Sequence, residues 1–543
     1  MYITRTSKIS KKAFINGRVF TIDEKQPLAE AVIIHHNRIY YVGNNQEARS
    51  LIDKQTQIFD LKGRLMLPGF IDSHVHFMTS GLQLLGIELG KASSVQDFKK
   101  ILKDYTAKNK DKWITGGGWN NELFEGSELP VKEWIDSFTY NTPVFVTRSD
   151  GHMGLANSCA LKLAGITKDT TNPEGGIIVK DPGTGIPTGI LKDNAMKLVQ
   201  NIISQPSEEE YEIALAASLE EAKKNGITSV HDITMQNDLL MYQKFEKENR
   251  LSCRIYSILP IADYENLIRL GIQHDFGNDK LKIGSLKAFA DGSLGSSTAL
   301  FFDAYENDPS YSGLAMDILT NGSLSKWSME ADKNKLRLAV HAIGDKANSL
   351  ILDLFEEIEN KNPKWNRRFR IEHAQHVRTA DIKRFADMNI IASVQPYHTI
   401  DDGQWAVKKI GTKRLEEAFT FNAFLKAGVK MCFGSDWNVA PINPLAGIYG
   451  AVTRRTLDNK NPDGWIPDQK ISVEDAVKCY TINGAYASYE EGLKGSIAEG
   501  KLADFVILND NIMEIDPVKI LDVKVDVTVY DGEIIYNRGQ LYS

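Results

Sequence analysis

The chain has 543 residues, 42% of them hydrophobic and 25% charged, and its 64 Lys and Arg against 71 Asp and Glu give a formal net charge of -7. This mildly acidic composition lacks the basic footprint of a nucleic-acid binder or of a protein that docks on anionic lipid, so neither partner is expected. No run approaches the roughly 18 apolar residues of a membrane span, and the basic N-terminus lacks the apolar core of a secretory signal. Four well-separated cysteines without a Cys-x-x-Cys pair fit a reducing compartment, so we expect a cytoplasmic protein.

The two ends of the chain have the pattern of short strands joined by tight turns. Runs such as AFINGRVFTID near the start and DVTVYDGEIIYNRG near the end place Asn-Gly or Asp-Gly between apolar residues, which is a hairpin signal. Because both ends share this pattern, residues 1–65 and 491–543 are predicted to form one small composite β-sandwich domain. Residues 66–490 would be a second domain inserted between its two parts.

The middle of the chain alternates apolar strand candidates with helical stretches, for example Glu208–Asn225 and Leu415–Ala427. Strands are predicted at Gly69–Val75, Thr228–Asp232, Arg254–Leu259, Gly284–Phe289, Arg337–Ala342, Phe369–Ala374, Ile390–Gln395 and Val429–Asp436. Eight strands separated by helices predict an α/β fold, a (β/α)8 TIM-type barrel. Residues from about 90 to about 205 break this rhythm. They include a ninth strand-like run, Pro143–Thr147, and are predicted to be an insertion after the first strand.

Reactive side chains stand at the ends of the predicted strands, where such barrels carry their active sites. They are His74, His76, Lys287, His341, His373 and Asp436. Residues two apart on a strand point to one side, so the first pair presents two imidazoles to the barrel mouth. Imidazole nitrogen is a favoured ligand of divalent metals. A single strand-end histidine is more often a hydrogen-bonded core residue, but four at converging strand ends favour a metal site.

Two of these residues have alternatives that the sequence leaves open. Asp436 is either the N-cap of a following helix or, beside metal histidines, a ligand and general base. Lys287 is either paired with Asp291 or another buried carboxylate, or is a buried amine with a depressed pKa. In the second case the neutral amine can react with carbon dioxide to give an anionic carbamate that bridges two metals.

Several motifs together resemble the amidohydrolase superfamily, namely LPGFIDSHVHF, SLKAFADGSLGS, AVHAIGD, RIEHAQ and FGSDWNVAPINPL. The resemblance covers nearly the whole chain and is narrowest with the amidohydrolase-3 group, which includes YtcJ-like proteins and N-substituted formamide deformylase. It implies a barrel that binds one or two divalent metal ions. Zinc is the expected metal, and iron, manganese and cobalt stay open because mixed histidine and carboxylate ligands suit all of them. Matched motif by motif, all six strand-end residues fall on metal-ligand positions, Lys287 on that of a carbamylated lysine and Asp436 on that of the general base.

The activity implied by the resemblance is hydrolysis of a non-peptide carbon–nitrogen bond in a small molecule. A metal-bound hydroxide would be the nucleophile, and Asp436 would act as catalytic base and then acid. Two alternatives stay open. The same centre would also hydrolyse an ester, lactone or phosphoester, and a catalytically silent barrel would serve as a regulatory protein. The sequence also leaves a homo-oligomer open.

Four further residues are candidates for substrate binding. Arg148 and His152 lie in the insertion segment TRSDGHMGLANS, which either covers the barrel mouth and contacts a carbonyl or carboxylate or forms a surface turn. Gln395 and His398 follow the seventh strand in SVQPYH, where they either contact substrate or make structural hydrogen bonds. His231, at the end of the second strand, is expected to face the cavity, but it matches no ligand position and is expected at most to support a ligand residue.

Overall fold

Eight parallel strands form a barrel in the computed structural model, which describes residues 11–109, 113–235 and 237–539. In chain order they are β1 (Phe70–Val75), β2 (Ile227–Ile233), β3 (Arg254–Pro260), β4 (Leu281–Phe289), β5 (Arg337–Ala342), β6 (Arg370–His373), β7 (Ile391–Val394) and β8 (Met431–Phe433). Consecutive strands pair in parallel. The strand β8 returns to β1 through a 2.8 Å hydrogen bond from the Asp436 amide to the His74 carbonyl. The predicted α/β TIM-type barrel is confirmed.

The barrel strands are buried on both faces, as parallel strands covered by helices must be. Every residue of β1, β2 and β5 is buried. The helices around them are Phe77–Leu85, Glu208–Lys224, Asp238–Lys247, Tyr264–Arg269, Asp317–Thr320, Ser323–Lys333, Asp345–Lys361, Thr379–Asp387, Pro396–Asp402, Ala406–Leu415, Phe421–Lys426, Pro444–Thr453, Val473–Cys479 and Ile482–Ala487. Within the described ranges, no helix combines the length and the apolar character needed to cross a membrane.

The helix Glu208–Lys224 shows how local sequence sets its bounds. Ser207 accepts a hydrogen bond from the Glu210 amide, and the Glu210 carboxylate accepts one from the Ser207 amide at 2.7 Å. This capping box satisfies two amides that lack partners inside the helix. Glutamates fill the first turn and lysines the last, which matches the helix dipole. The predicted helix over Glu208–Asn225 is therefore reproduced almost to the residue.

The predicted helix over Leu415–Ala427 is wrong as a single element. One helix ends at Leu415, and the next begins only at Phe421. Between them Phe419 has a φ of 51°, and its amide donates to the carbonyl of Gln375 in the loop after β6. Contact with that distant loop outweighs the local helix propensity of the segment.

The segment after β1 forms a separate six-stranded sheet. Its strands are, in sheet order, Gly176–Lys180, Pro187–Asp193, Met153–Ala156, Phe145–Arg148, Gly116–Trp119 and Ile87–Glu88. The helices Val95–Lys108, Glu133–Thr139, Ser158–Leu163 and Lys197–Gln200 accompany it. The predicted ninth strand-like run belongs here and not to the barrel. Gly117 has a φ of 139°, and a Cβ atom there would lie 2.2 Å from the Thr147 carbonyl oxygen, so this strand pairing requires glycine.

Strands from both ends of the chain share one sheet. Its six strands, in sheet order, are Glu533–Asn537, Val525–Tyr530, Phe505–Leu508, Leu65–Pro68, Arg18–Phe20 and Leu28–Ala29. A four-stranded sheet contains Arg38–Gly43, Ala31–His35, Lys11–Ile15 and Gln57–Asp60, with the helix Asn45–Ser50 beside it. The ring centroids of Phe14 and Phe505, one from each sheet, lie 5.0 Å apart. The two sheets thus contribute to one apolar cluster.

Candidate metal centre

A cavity of about 300 Å³ opens at the carboxyl ends of the barrel strands. All six strand-end residues singled out in the sequence line it, namely His74, His76, Lys287, His341, His373 and Asp436. Each side chain is delivered by a different strand or by the residues that directly follow one, except that β1 supplies two. The six residues therefore converge on one cavity, as the sequence predicts, whereas their roles as metal ligands stay predictions.

The cavity brings together His74, His373 and Asp436. One potential ligand atom from each lies within 4.8 Å of the other two, and all three residues are buried. The Asp436 Oδ1 atom is 3.5 Å from His74 Nε2 and 3.2 Å from His76 Nε2. Nitrogen and carboxylate oxygen are the donor atoms that zinc and similar divalent metals take in proteins.

In three of the histidines one ring nitrogen is tied to the protein, which leaves the other nitrogen with its lone pair. His74 Nδ1 lies 2.5 Å from Glu372 Oε2, His341 Nε2 lies 3.0 Å from the Gly292 carbonyl oxygen, and His373 Nδ1 lies 2.8 Å from Gln395 Oε1. The free nitrogen of His74, Nε2, is buried and has no hydrogen-bond partner among the described residues. A buried polar atom left unpaired is costly, and metal binding would satisfy it.

Burial keeps these imidazoles neutral. It lowers the pKa of His74 to about 4 and, with positive neighbours, holds the pKa values of His341 and His373 well below the usual range. A neutral imidazole is the form that binds metal. Burial alone would raise the pKa of Asp436, but the adjacent His76 and His74 hold it well below its usual range, so its carboxylate is ionised.

Lys287 lies near the carboxylates of Glu372 and Asp436 but forms no direct ion pair with a residue in the described parts of the chain. Its Nζ atom is buried, makes no hydrogen bond to any residue that the structure describes, and is 4.8 Å from the ring centroid of Phe289. Burial lowers the pKa of this amine to about 8. Asp291, a possible partner on sequence grounds, instead accepts the backbone amides of Leu300, Ile343 and Gly344. The pairing of Lys287 with Asp291 is therefore excluded.

Two of the residues that line the cavity, His373 and Asp436, have unusual backbone conformations. His373 has a φ of 73° and Asp436 a φ of 58°, in the left-handed region that residues with a side chain rarely adopt. Such strain persists where the surroundings over-determine it, and it concentrates at functional sites. Each strand thus turns sharply just where its side chain enters the cavity.

Sequence reasoning missed a charged network beneath the cluster. Glu372 binds His74 through one oxygen and lies 2.9 Å from Arg370 Nε through the other. Arg370 also donates to the Ser73 carbonyl at 2.7 Å and lies 3.0 Å from His231 Nδ1. His231 thus contacts Arg370 behind the site and does not line the cavity, so the expectation that it faces the cavity is wrong, because the Arg370 guanidinium holds its ring. The available signal was the motif RIEH, since Arg and Glu inside a buried strand must be paired.

The four candidate substrate residues fall into different places. Arg148, His152 and His398 line the cavity, whereas Gln395 does not and instead holds His373. Arg148 donates to Asn121, Asp150 and Asn120 at 3.1, 2.7 and 2.9 Å, so the insertion's own side chains occupy its guanidinium. His152 Nδ1 lies 2.6 Å from Asp193 Oδ1. The insertion therefore forms one wall of the cavity, while direct contact with substrate stays a prediction.

Comparison with known proteins agrees with this architecture. The sequence model described as "Amidohydrolase family" matches residues 57–536. Three curated relatives are Protein LONG AFTER FAR-RED 3 of Arabidopsis thaliana (39% identical over 96% of this chain and 91% of that protein), the putative amidohydrolase YtcJ of Bacillus subtilis (30%, 97% and 100%) and the N-substituted formamide deformylase of Arthrobacter pascens (24%, 96% and 98%).

Among solved structures, an uncharacterized metal-dependent hydrolase from Pyrococcus horikoshii superposes with a TM-score of 0.76 at 28% identity, over 94% of this chain and 99% of that one. The similarity therefore extends over the whole architecture and not the barrel alone. The resemblance drawn from the motifs in the sequence is confirmed.

Proposed function

The chain belongs to the amidohydrolase family and is thus a hydrolase, and from this premise we propose that it cleaves a non-peptide carbon–nitrogen bond of a small molecule with the help of a divalent metal. Two similarities support the proposal. The solved relative from Pyrococcus horikoshii is named a metal-dependent hydrolase, and the relative from Arthrobacter pascens is named for deformylating N-substituted formamides. An N-substituted formamide or another small amide is the substrate class we infer.

The observation that carries the proposal is the set of buried, unpaired donor atoms around one cavity. His74 Nε2 and Lys287 Nζ have no hydrogen-bond partner in the described ranges of the chain, although both atoms are fully buried. Neutral imidazoles and an ionised carboxylate are the donor chemistry that a divalent metal requires. The residues that would hold the metal are His74, His76, Lys287, His341, His373 and Asp436, and zinc is the metal we propose.

When bound, a divalent metal polarises a substrate carbonyl and makes water more acidic. Asp436 is the group that takes the proton of the attacking water, because its carboxylate is ionised and faces the cavity. It then returns that proton to the leaving nitrogen as the carbon–nitrogen bond breaks. The products are a carboxylic acid and an amine, and Asp436 ends the cycle ionised as it began.

Lys287 is proposed to be carbamylated. Its neutral amine would attack carbon dioxide, forming a nitrogen–carbon bond and releasing one proton, and the resulting carbamate is an anion. The burial that lowers the pKa of the amine to about 8 favours the required neutral form. An anion at this point would also balance the positive charge of a bound metal, which an ammonium would repel.

We further propose that the two terminal sheets constitute the composite β-sandwich domain predicted from the sequence, in a cytoplasmic enzyme. The apolar cluster that both sheets share, which includes the contacting rings of Phe14 and Phe505, supports this assignment. Pairing of Phe505–Leu508 with Leu65–Pro68 joins the two ends of the chain in one sheet.

The test is a substrate panel measured on metal-loaded and metal-free protein. We expect N-substituted formamides and small anilides to be hydrolysed only by the metal-loaded form, and faster than esters with the same acyl and leaving groups. Faster turnover of the matched esters, or of phosphoesters, would show that the enzyme prefers an ester or phosphoester bond to the proposed carbon–nitrogen bond. Absence of turnover across the whole panel in protein with bound metal would favour a silent regulatory barrel.

A further inference from the structure

A second cavity of about 820 Å³ adjoins the metal cavity, and Gly295 lines both. It is bounded by the insertion, by the loop that follows β4 and by the helix Ala406–Leu415. Gly295 allows the close approach of these parts, since a Cβ atom there would lie 2.1 Å from an Arg148 guanidinium nitrogen. None of the six candidate metal residues lines this second space.

The ammonium groups of two lysines bind the same short segment of the cavity wall, residues 295–297. Lys192 Nζ, from the insertion, donates to the Ser296 carbonyl at 2.7 Å. Lys409 Nζ, from the helix after β7, donates to the Gly295 carbonyl at 3.3 Å and to the Ser297 hydroxyl at 3.0 Å. Because consecutive peptide units hold both ammonium groups, the loop after β4 brings the two positive charges together.

The charge on this wall is not balanced. The carboxylate paired with Lys409 is Glu122, whose Oε1 atom lies 3.4 Å from Lys409 Nζ, with side-chain exposures of 4% and 14%. Asp150 and Asp193 also lie near Lys192, but Asp150 is paired with Arg148 at 2.7 Å and Asp193 with His152 at 2.6 Å. Asp308, at the rim, accepts hydrogen bonds from the amide and hydroxyl of Ser310. Burial, reinforced by the charge of Lys409, lowers the pKa of Lys192 to about 8. Because Asp150 and Asp193 are each paired with another cation, Glu122 is the buried carboxylate that balances the two ammonium groups, which leaves room for one further negative charge.

Hydrogen-bond donors are also in excess. The hydroxyl of Tyr311 lines the same cavity, is buried and has no hydrogen-bond partner in the described parts of the chain. Burial raises the pKa of Tyr311 to about 12, so the phenol is a neutral donor. A ligand that satisfies this wall must therefore bring acceptor oxygens.

We propose that the second cavity binds a small anion through a carboxylate or phosphate group, held by Lys192 and the Tyr311 hydroxyl, with the nearby charge of Lys409 adding to the attraction. Lysine serves as a point charge for such groups, and charge-assisted hydrogen bonds are the strong ones. The site is independent of the metal centre and of the proposed hydrolysis. Its ligand would brace the loop that forms one wall of the metal cavity.

The experiment is calorimetric titration of the full-length, metal-loaded protein with inorganic phosphate and, separately, with malonate, with chloride keeping the ionic strength constant. We expect saturable binding of at least one of the two anions, and the anion that binds more tightly identifies the group. Lys192→Met is expected to weaken that binding by about tenfold or more. Lys408→Met, at an exposed position on the rim, is the matched control and is expected to change it by about twofold at most.

Two further variants separate the possible outcomes. Asp436→Asn should retain the binding, because it alters only the metal cavity. Tyr311→Phe removes one donor without removing a charge and should weaken binding by a few-fold, which keeps the test valid if Lys192→Met does not fold. No saturable binding of either anion, or binding that Asp436→Asn abolishes and Lys192→Met leaves unchanged, would overturn the proposal.

Discussion

The two walls of the metal cavity differ in whether their buried polar groups have hydrogen-bond partners. On the barrel side, His74 and Lys287 carry buried polar atoms that have no partner among the described residues. On the insertion side, Arg148 donates to three side chains, and His152 is held by Asp193. Both walls are rich in charged and polar groups, but the barrel wall leaves His74 Nε2 and Lys287 Nζ unpaired, whereas the guanidinium of Arg148 on the insertion wall is occupied by its neighbours.

This difference distinguishes residues that are available to bind a metal or substrate from residues that stabilise the shape of the cavity. Burial of an unpaired polar atom costs free energy, so a fold retains one where a ligand satisfies it. A saturated group such as Arg148 stabilises the shape of the wall and has little capacity left for a ligand. Substitutions on the barrel side should therefore affect turnover and metal binding, whereas substitutions on the insertion side should affect stability first.

The largest expected effect is that of Asp436→Asn on turnover. The amide cannot accept a proton from water, so kcat should fall by about 10²–10⁴-fold on the best substrate of the panel, while the protein stays folded by circular dichroism. Asp401→Asn is the matched control, because Asp401 lines the same cavity outside the candidate metal cluster. A fall no larger than that of this control would refute the role of Asp436.

Arg148→Met should have the opposite effect to Asp436→Asn, because it should lower the stability of the protein and leave metal binding unchanged. It leaves Asp150 largely buried without its guanidinium partner, so the free energy of unfolding should fall by about 3–5 kcal/mol. Denaturant unfolding measures this change, and metal content measured on the folded protein should stay as in the wild type. Arg18→Met, which breaks an exposed ion pair with Glu514, should have little effect. Loss of metal with unchanged stability would contradict the division between the walls.

The sequence could predict a feature when neighbouring residues carry its signal, and could not when the feature depends on a contact between residues far apart in the chain. An apolar run that ends in a histidine, lysine or aspartate is visible in a few residues, so the barrel strands and the six residues lining the cavity were within reach. Glu372 and Asp193 were not, because their histidine partners lie 298 and 41 residues away along the chain. The helix break at Phe419 likewise depends on the distant loop at Gln375.

His152 gives the insertion wall a pH-dependent contribution to stability. Burial alone would lower its pKa, but Asp193 raises it to about 9 from 6.5. The stabilisation is therefore fully present below pH 6.5 and is lost as the pH rises through about 9. In metal-free protein, His152→Gln should cost about 3 kcal/mol of unfolding free energy below that window and little above it. A cost that does not vary with pH would show that the ion pair is not its source.

Glu372→Gln should weaken metal binding by about 10–100-fold, because a neutral amide orients the imidazole of His74 less strongly. Competition with a chromophoric chelator measures the metal Kd directly. Glu490→Gln is the matched control, since Glu490 is also a buried carboxylate but pairs with Lys494 and Lys282 away from the cavity. Equal metal affinities in the two variants would remove Glu372 from the metal centre.

The most direct measurement is a zinc titration of chelator-treated protein, with bound metal and amide turnover recorded on the same samples. The account predicts that turnover is lost with the metal and returns in proportion to it, saturating at one or two equivalents per chain. It also predicts that His74→Ala and His373→Ala bind less metal. Full turnover by metal-free protein, or unchanged zinc stoichiometry in both variants, would contradict the assignment of this cavity as the metal centre.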